Sequence, residues 1–200
     1  MGKADFFRRL GLLVVPQFFD ARTCMELRTA VRHATATEAT VYENDAEKLD
    51  ADVRRTSRAH VASEAADLVR GRLAALQPDI ERHFNVAVTA FREPQFLVYR
   101  VGDFFLAHRD ASPDDPPNVR IRKVSVVIFL NGESAENSPD SFSGGSLVFY
   151  DLLDDPRLGQ HRGLRLSAEE GLLVAFPAHL VHRVSPITAG ERHTIVTWFT

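Results

Sequence analysis

Five short runs of β-branched and aromatic residues dominate the second half of the chain, and they constrain its fold more than any other feature. They are FLVYRV at 96–101, VSVVIFL at 124–130, SLVFY at 146–150, GLLVAF at 171–176 and TIVTWF at 194–199. Residues of these types suit a pleated, half-buried surface, because a branched Cβ packs well against cross-strand neighbours. Turn chemistry separates the runs: Asp114-Asp115-Pro116-Pro117, Asn131-Gly132, Gly144-Gly145 and Thr188-Ala189-Gly190. Proline presets φ and glycine supplies positive φ at such places. No helical pattern alternates with these strands, so a parallel α/β sheet is not expected. The pattern predicts a mainly β fold with flanking helices, a sandwich or jelly roll.

The first 93 residues carry a different period. Asp20 is placed to cap a helix in which Cys24, Leu27, Val31 and Ala34 recur at helical spacing. Ser63 is expected to cap a second helix bearing Leu68, Val69, Leu73 and Leu76, with Pro78 interrupting it. The intervening YENDAEKLDADVRRTSRAH, 42–60, is polar and reads as a surface loop or flap. With 44% hydrophobic residues, 14 of them Phe, two hundred residues can bury one sizeable core. The chain therefore reads as one domain over 1–200, with mostly helical support over 1–93 and a jelly-roll core over 94–200.

Charge and cysteine content exclude several partners and chemistries. Lys and Arg number 24 against 27 Asp and Glu, a net charge of −3 that favours no nucleic acid. Cys24 is the single cysteine, which leaves no intrachain disulfide and no thiolate zinc site. The apolar LGLLVVP is too short for a secretory core, Phe6 stands where a myristoylation signal needs Ser or Thr, and no run spans a bilayer. A cytoplasmic protein with no membrane partner is expected.

Among eight histidines, His108 heads the triplet His108-Arg109-Asp110. The same triplet opens the kinase catalytic loop, but Ala111 and Asp115 stand where that loop needs Leu and Asn. In a strand, side chains two apart share a face, so His108 and Asp110 can converge on one point. His179 and His182 each offer a third ligand. Two imidazoles and a carboxylate on one side of a metal match the non-haem Fe(II) oxygenases. Ten residues after His182, across Pro186 and Gly190, Arg192 is expected on a neighbouring hairpin strand. Its planar fork suits a carboxylate, such as that of a 2-oxo acid chelating the same metal.

These motifs resemble the Fe(II)- and 2-oxoglutarate-dependent dioxygenases, in their prolyl 4-hydroxylase-like branch. YRVGDFFLAHRD resembles the pattern Y-x-x-G-x-x-[YF]-x-x-H-x-D through Tyr99, Gly102, Phe105, His108 and Asp110. VSVVIFLN and SGGSLVFYD are similar to the strands around the variable loop. HRVSPITAGERHTIVTWF resembles the closing H-x-V-x-P-V-x-x-G-x-R, and LVVPQFFDARTCMELRTAV the opening strand and helix. The resemblance implies a double-stranded β-helix, a cupin-like jelly roll. It implies His108, Asp110 and His182 as iron ligands, which selects His182 over His179. It further implies Arg192 at the distal carboxylate of 2-oxoglutarate, helped by Thr194, with Tyr99 facing the cosubstrate. The implied cofactors are Fe(II), 2-oxoglutarate and O2, with ascorbate as a candidate reductant.

The implied reaction hydroxylates an unactivated C–H bond of a prolyl residue, amino acid or peptide-like substrate and releases succinate and CO2. Collagen-type animal members carry Lys where Arg192 stands, which weakens that substrate analogy. Two other classes compete: a cupin-like metal-dependent isomerase or hydrolase that does not use 2-oxoglutarate, and a silent binding module. Only the oxygenase requires the cation at Arg192. The resemblance also sets the 54–58 segment near a substrate entrance, where Arg54, Arg55 and Arg58 could meet an acidic group, although a solvated flap is favoured. His193 is expected to be exposed, and His33, His60, His83 and His161 to be structural or solvated. GESAENSPDSFS, 132–143, is either a clamp on a polypeptide or a surface loop. The partner is a small-molecule, peptide or protein substrate, and the oligomeric state is open.

Overall fold

Alternation along the Arg192–Phe199 strand separates two cores. Ile195 and Phe199 point to one, with Phe96, Val98, Val126, Ile128 and Leu173 from neighbouring strands. The opposite face of the same strands contributes Leu97, Tyr99, Val127, Phe129 and Val174 to the other. A sheet buried on both faces needs near-continuous apolar runs, which is what VSVVIFL and TIVTWF supply. A computed structural model provides the coordinates, and the structure describes residues 3–43, 46–134, 140–150, 152 and 163–200.

Seven strands form the major sheet, in the order Leu13–Val15, Leu173–Pro177, Val124–Phe129, Arg192–Phe199, Gln95–Tyr99, Ser57–His60 and Thr35–Glu38. Each neighbouring pair is antiparallel. Five strands form the minor sheet, in the order Leu164–Leu166, Leu147–Phe149, His182–Val184, Phe104–His108 and Arg54–Arg55, also antiparallel throughout. A small third sheet joins Gly132–Glu133, Ser141–Gly144 and Ile187–Gly190. The two larger sheets enclose the inner core as a double-stranded β-helix, and the two long helices, Ala21–His33 and Ser63–Phe84, cover the outer face of the major sheet.

The Ala21–His33 helix starts as its sequence requires: the Asp20 carboxylate accepts from the Thr23 amide, and Cys24, Leu27 and Val31 are buried. The second long helix departs from expectation at both ends. It spans Ser63–Phe84 with Ala62 in the cap position, no side chain caps it, and Pro78 lies inside it. A proline within a helix costs about 3 kcal/mol through its missing N–H. Burial of Val69, Leu73, Leu76 and Ile80 on one stripe offsets this, each buried aliphatic contributing roughly 1.5–3 kcal/mol.

The polar 42–60 stretch is not simply a loop. Arg54–Arg55 extends the minor sheet and Ser57–His60 the major one. Its period-two signal is faint because these strands lie toward the sheet edges and bury few side chains. Of the acidic 132–143 segment, both flanks are strands and the middle, 135–139, lies outside the described residues, as does His161. Among the described residues no helix is long and apolar enough to cross a membrane.

Leu73 is fully buried whereas Leu68, on the same helix, is 41% exposed. Leu73→Ala is expected to cost about 2–5 kcal/mol of unfolding free energy. Leu68→Ala should cost under about 0.5 kcal/mol. Urea titrations followed by circular dichroism read both; equal losses would contradict the packing described.

Candidate metal centre

The minor sheet brings two histidines face to face. His108 and His182 are direct cross-strand partners, and their ring centroids lie 4.3 Å apart. Asp110 follows the end of the His108 strand, its amide donating to the Ala178 carbonyl at 2.9 Å. The Asp110 carboxylate then reaches both rings, with Oδ1 3.6 Å from His108 Nε2 and Oδ2 3.6 Å from His182 Nε2. One ligand atom from each of the three residues lies within 4.8 Å of the others.

Hydrogen bonds fix which nitrogen each ring presents. His108 Nδ1 is 2.8 Å from the Leu106 carbonyl and His182 Nδ1 2.9 Å from that of Leu180. A carbonyl only accepts, so Nδ1 carries the proton in each ring and Nε2 keeps a lone pair toward the shared point. Burial, reinforced by the His108 charge, pushes His182 down to about 4 against the opposing Asp110 carboxylate, so the ring is neutral near pH 7. Burial works to raise Asp110, but His182, His108 and the Ser125 hydroxyl outweigh it and hold the carboxyl well below its usual range. Two imidazole nitrogens, that of His182 neutral, turned toward an ionised carboxylate form a donor set for a divalent transition metal.

Neighbours stiffen this arrangement. A register shift in the strand pairing lets Phe105 as well as His108 face inward, and the Phe105 ring stacks on His108 at 3.5 Å and 18°. Arg122 donates to the Asp110 carbonyl at 3.2 Å and lies 4.1 Å from the Trp198 ring. The Ser125 hydroxyl donates to Asp110 Oδ2 at 2.6 Å. Sequence reasoning missed Ser125, yet a hydroxyl within VSVVIFL, on a strand buried on both faces, has to find an acceptor.

The same cavity, about 350 Å³, continues to Arg192 in the opposite sheet. Arg192 does not sit on a hairpin strand beside His182. The chain leaves the minor sheet at Val184, passes through Ile187–Gly190 in the third sheet, and enters the major sheet at Arg192. Arg192 pairs in register with Tyr99, and its Cζ lies 5.0 Å from both the Tyr99 and Phe129 rings. It donates to Thr194 Oγ1 at 3.2 Å, so Tyr99 and Thr194 both touch it. A Cβ on Gly145 would approach the Arg192 Cδ to 3.1 Å, and Gly145 has φ +59°, so this glycine lets the arginine stem pass. The Asn131 amide clamps the backbone on either side, donating to the Glu191 carbonyl at 2.8 Å and accepting from the His193 amide at 2.9 Å.

Arg192 is 1% exposed, its Nε has no partner, and among the described residues no carboxylate ion-pairs with it. Burial draws its pKa down to about 10, partly offset by Tyr99 and Glu133, and it stays charged near neutrality. A buried cation with an unpartnered donor is costly unless an anion completes it. The cavity therefore offers a metal-type donor set in one wall and an anion-binding fork in the other.

Other expected residues fall elsewhere. His179 is exposed and outside the cluster, and its carbonyl accepts from Arg109 at 3.0 Å. His193 is buried, not exposed: the major sheet is covered on both faces, and its Nε2 lies 3.2 Å from Glu191 Oε2. Arg54 and Arg58 line the cavity and Arg55 does not. His60, expected to be merely structural or solvated, stands at the mouth with its Nε2 3.0 Å from Thr37 Oγ1.

Removal of the Ser125 hydroxyl frees one oxygen of Asp110 to rotate. Ser125→Ala is expected to weaken Mn(II) binding by roughly tenfold, as loss of an outer hydrogen bond to a ligand does, with Ser125→Thr restoring it. Calorimetric titration measures this, and unchanged affinity in Ser125→Ala would show that packing alone orients the carboxylate.

Comparisons with known proteins agree with this geometry. The 2OG-Fe(II) oxygenase superfamily matches residues 94–200. A PKHD-type hydroxylase of Shewanella baltica is 34% identical over 109 residues, covering 54% of this chain and 42% of that relative. This chain thus spans less than half the length of that curated relative. A PKHD-type hydroxylase of Rhizorhabdus wittichii is 28% identical over 191 residues, 94% of this chain and 77% of the relative. The fold is similar to a Pseudomonas putida prolyl-4-hydroxylase, with a TM-score of 0.70, 22% identity, and 98% and 95% of the two chains covered. It is also similar to a Trichoplax adhaerens prolyl hydroxylase solved with a hypoxia-inducible-factor peptide fragment, with a TM-score of 0.71, 18% identity, and coverage of 98% and 86%. With a family match over more than half its length, the chain belongs to the 2OG-Fe(II) oxygenase superfamily.

Proposed function

We propose that the protein is an Fe(II)- and 2-oxoglutarate-dependent dioxygenase that hydroxylates a C–H bond of a prolyl residue, amino acid or peptide-like substrate. The observation that carries this is Arg192: a buried guanidinium, with no counter-ion among the described residues, in the cavity that also holds His108, Asp110 and His182. A metal-dependent isomerase or hydrolase would have no use for that charge. The three ligand residues would hold Fe(II) through His108 Nε2, His182 Nε2 and an Asp110 oxygen. Arg192, with Thr194 and Tyr99, would receive the distal carboxylate of 2-oxoglutarate, where a bidentate fork is the best match.

With both bound and O2 admitted, the centre supplies an oxidant that hydroxylates carbon while the cosubstrate leaves as succinate and CO2. The chain's own task is to orient and to exclude water. The carbonyls of Leu106 and Leu180 keep both imidazoles in the ligating tautomer, and Ser125 holds the carboxylate. Phe105, Leu147, Val127 and Val184 wall the cavity with apolar surface, which strengthens every electrostatic contact inside it. Similarity to prolyl hydroxylases, one solved with a peptide fragment, supports a prolyl or peptide-like target. Residues 1–200 would act as one domain, since the strands within 35–60 complete both larger sheets.

Succinate release from 2-oxoglutarate by the Fe(II)-loaded protein tests the reaction, with ascorbate added as a reductant and omitted in parallel. His108→Ala, Asp110→Ala and His182→Ala are each expected to lose metal and turnover, whereas His179→Ala keeps both. Arg192→Ala should raise the KM for 2-oxoglutarate by about 100-fold or more while metal is retained, as expected when a buried charge pair loses one partner. Metal lost in His179→Ala but kept in His182→Ala would overturn the ligand assignment. Undiminished 2-oxoglutarate affinity in Arg192→Ala would overturn the role of the cation.

A further inference from the structure

The outer part of the cavity carries a second cation that the reaction just proposed does not use. Arg58 pairs across the major sheet with Leu97 on one side and Thr37 on the other, and Leu97 pairs with Thr194. Residues opposite one another in an antiparallel sheet point to one face, so Arg58 faces the cavity as Thr194 and Arg192 do. Two strand spacings separate its strand from that of Arg192, roughly 10 Å. Arg58 is half-buried and lines the cavity.

Three other arginines at the mouth are engaged. Arg54 donates to the Thr40 carbonyl at 2.8 Å and lies over Phe105, Arg109 donates to the His179 carbonyl, and Arg122 holds the Asp110 carbonyl and covers Trp198. The Arg58 side chain has neither a hydrogen bond nor an ion pair among the described residues. Two carboxylates line the mouth, Glu38 and Asp115, and neither ion-pairs with it; Asp115 instead accepts from the Ser112 amide at 2.6 Å. Thr37 and His60 flank Arg58 with polar groups 3.0 Å apart, and Gln95 adds an amide to the same lining. This is a donor-rich floor around an uncommitted planar cation, the arrangement that recognises a carboxylate.

We propose that the substrate oxidised here carries a carboxylate, and that Arg58 receives it while the target carbon reaches toward the His108, Asp110 and His182 cluster. The inference rests on the oxygenase assignment above and narrows its substrate class to an acid of about amino-acid size or a peptide bearing such a group. Arg192 serves the cosubstrate and Arg58 the substrate, which keeps two anions apart in one cavity.

Trp198 is the sole tryptophan and lines the cavity, so its fluorescence reports occupancy without turnover. The N-acetyl derivatives of proline, alanine and leucine, each as free acid and as amide, are titrated onto wild type, Arg58→Gln, Arg58→Lys and Arg192→Gln. At least one acid should bind wild type about tenfold or more tightly than its amide, the scale of a charge-assisted contact. Arg58→Gln should reduce that preference below about twofold, Arg58→Lys should keep part of it, and Arg192→Gln should leave it in place. The proposal fails if acids and amides bind alike, if no probe binds, or if the preference survives Arg58→Gln. It also fails if the preference disappears only in Arg192→Gln, which would assign the acid to the deeper cation. Succinate release by the same wild-type preparation tests the oxygenase assignment separately, and its absence would leave the fluorescence comparison readable.

Discussion

The central strand of the major sheet, Arg192–Phe199, divides the protein into an inner and an outer core, and most of the structure depends on that division. It pairs with Gln95–Tyr99 on one side and Val124–Phe129 on the other. Residues of even number turn inward and those of odd number outward, where Ile195 and Phe199 meet the helices. A slip of one residue would exchange Arg192 with His193 and Thr194 with Ile195. The apolar load on the outer face prevents that slip, so the burial that stabilises the fold also fixes the cation's direction. The Asn131 clamp across Glu191 and His193 pins the same register locally.

The opposite wall is built on a different principle. The His182–Val184 and Phe104–His108 strands are short, and their pairing shifts register. Strand regularity gives way there to the gathering of His108, Asp110 and His182, with the Phe105 ring filling the space beside His108. The backbone carbonyls of Leu106, within its strand, and of Leu180, in the turn before the His182 strand, decide the tautomers. The site thus draws its precision from rigid elements on both sides of a narrow interior.

Charge is distributed by depth. Arg192 lies at the buried end and the other arginines toward the mouth, where most are tied to carbonyls or stacked on rings. Carbonyls satisfy guanidinium donors without neutralising their charge, so the entrance remains cationic although the chain as a whole is slightly acidic. Among the described residues, Arg58 is the member of this group whose side chain forms no such attachment.

The sequence by itself determined the periodicities and the chemistry. Five apolar runs indicated the strands, Cys24, Leu27 and Val31 marked a helix stripe, and the spacing of His108, Asp110, His182 and Arg192 pointed to a candidate metal centre and a cation for an acid. Short-range rules suffice there, because period and residue type are local properties. Only the tertiary structure decided what depends on neighbours distant in sequence. It showed that Arg54–Arg55 and Ser57–His60 are strands, because partners already in place supply the ladder that their polar side chains do not advertise. It carried the Ser63–Phe84 helix past Pro78 because the sheet buries Ile80 beyond it. It buried His193, placed Arg192 in the sheet opposite His108 and His182 rather than beside them, and supplied Ser125 as the donor to Asp110. Each of these was set by which surface a side chain met after the chain had closed, and no local pattern encodes that.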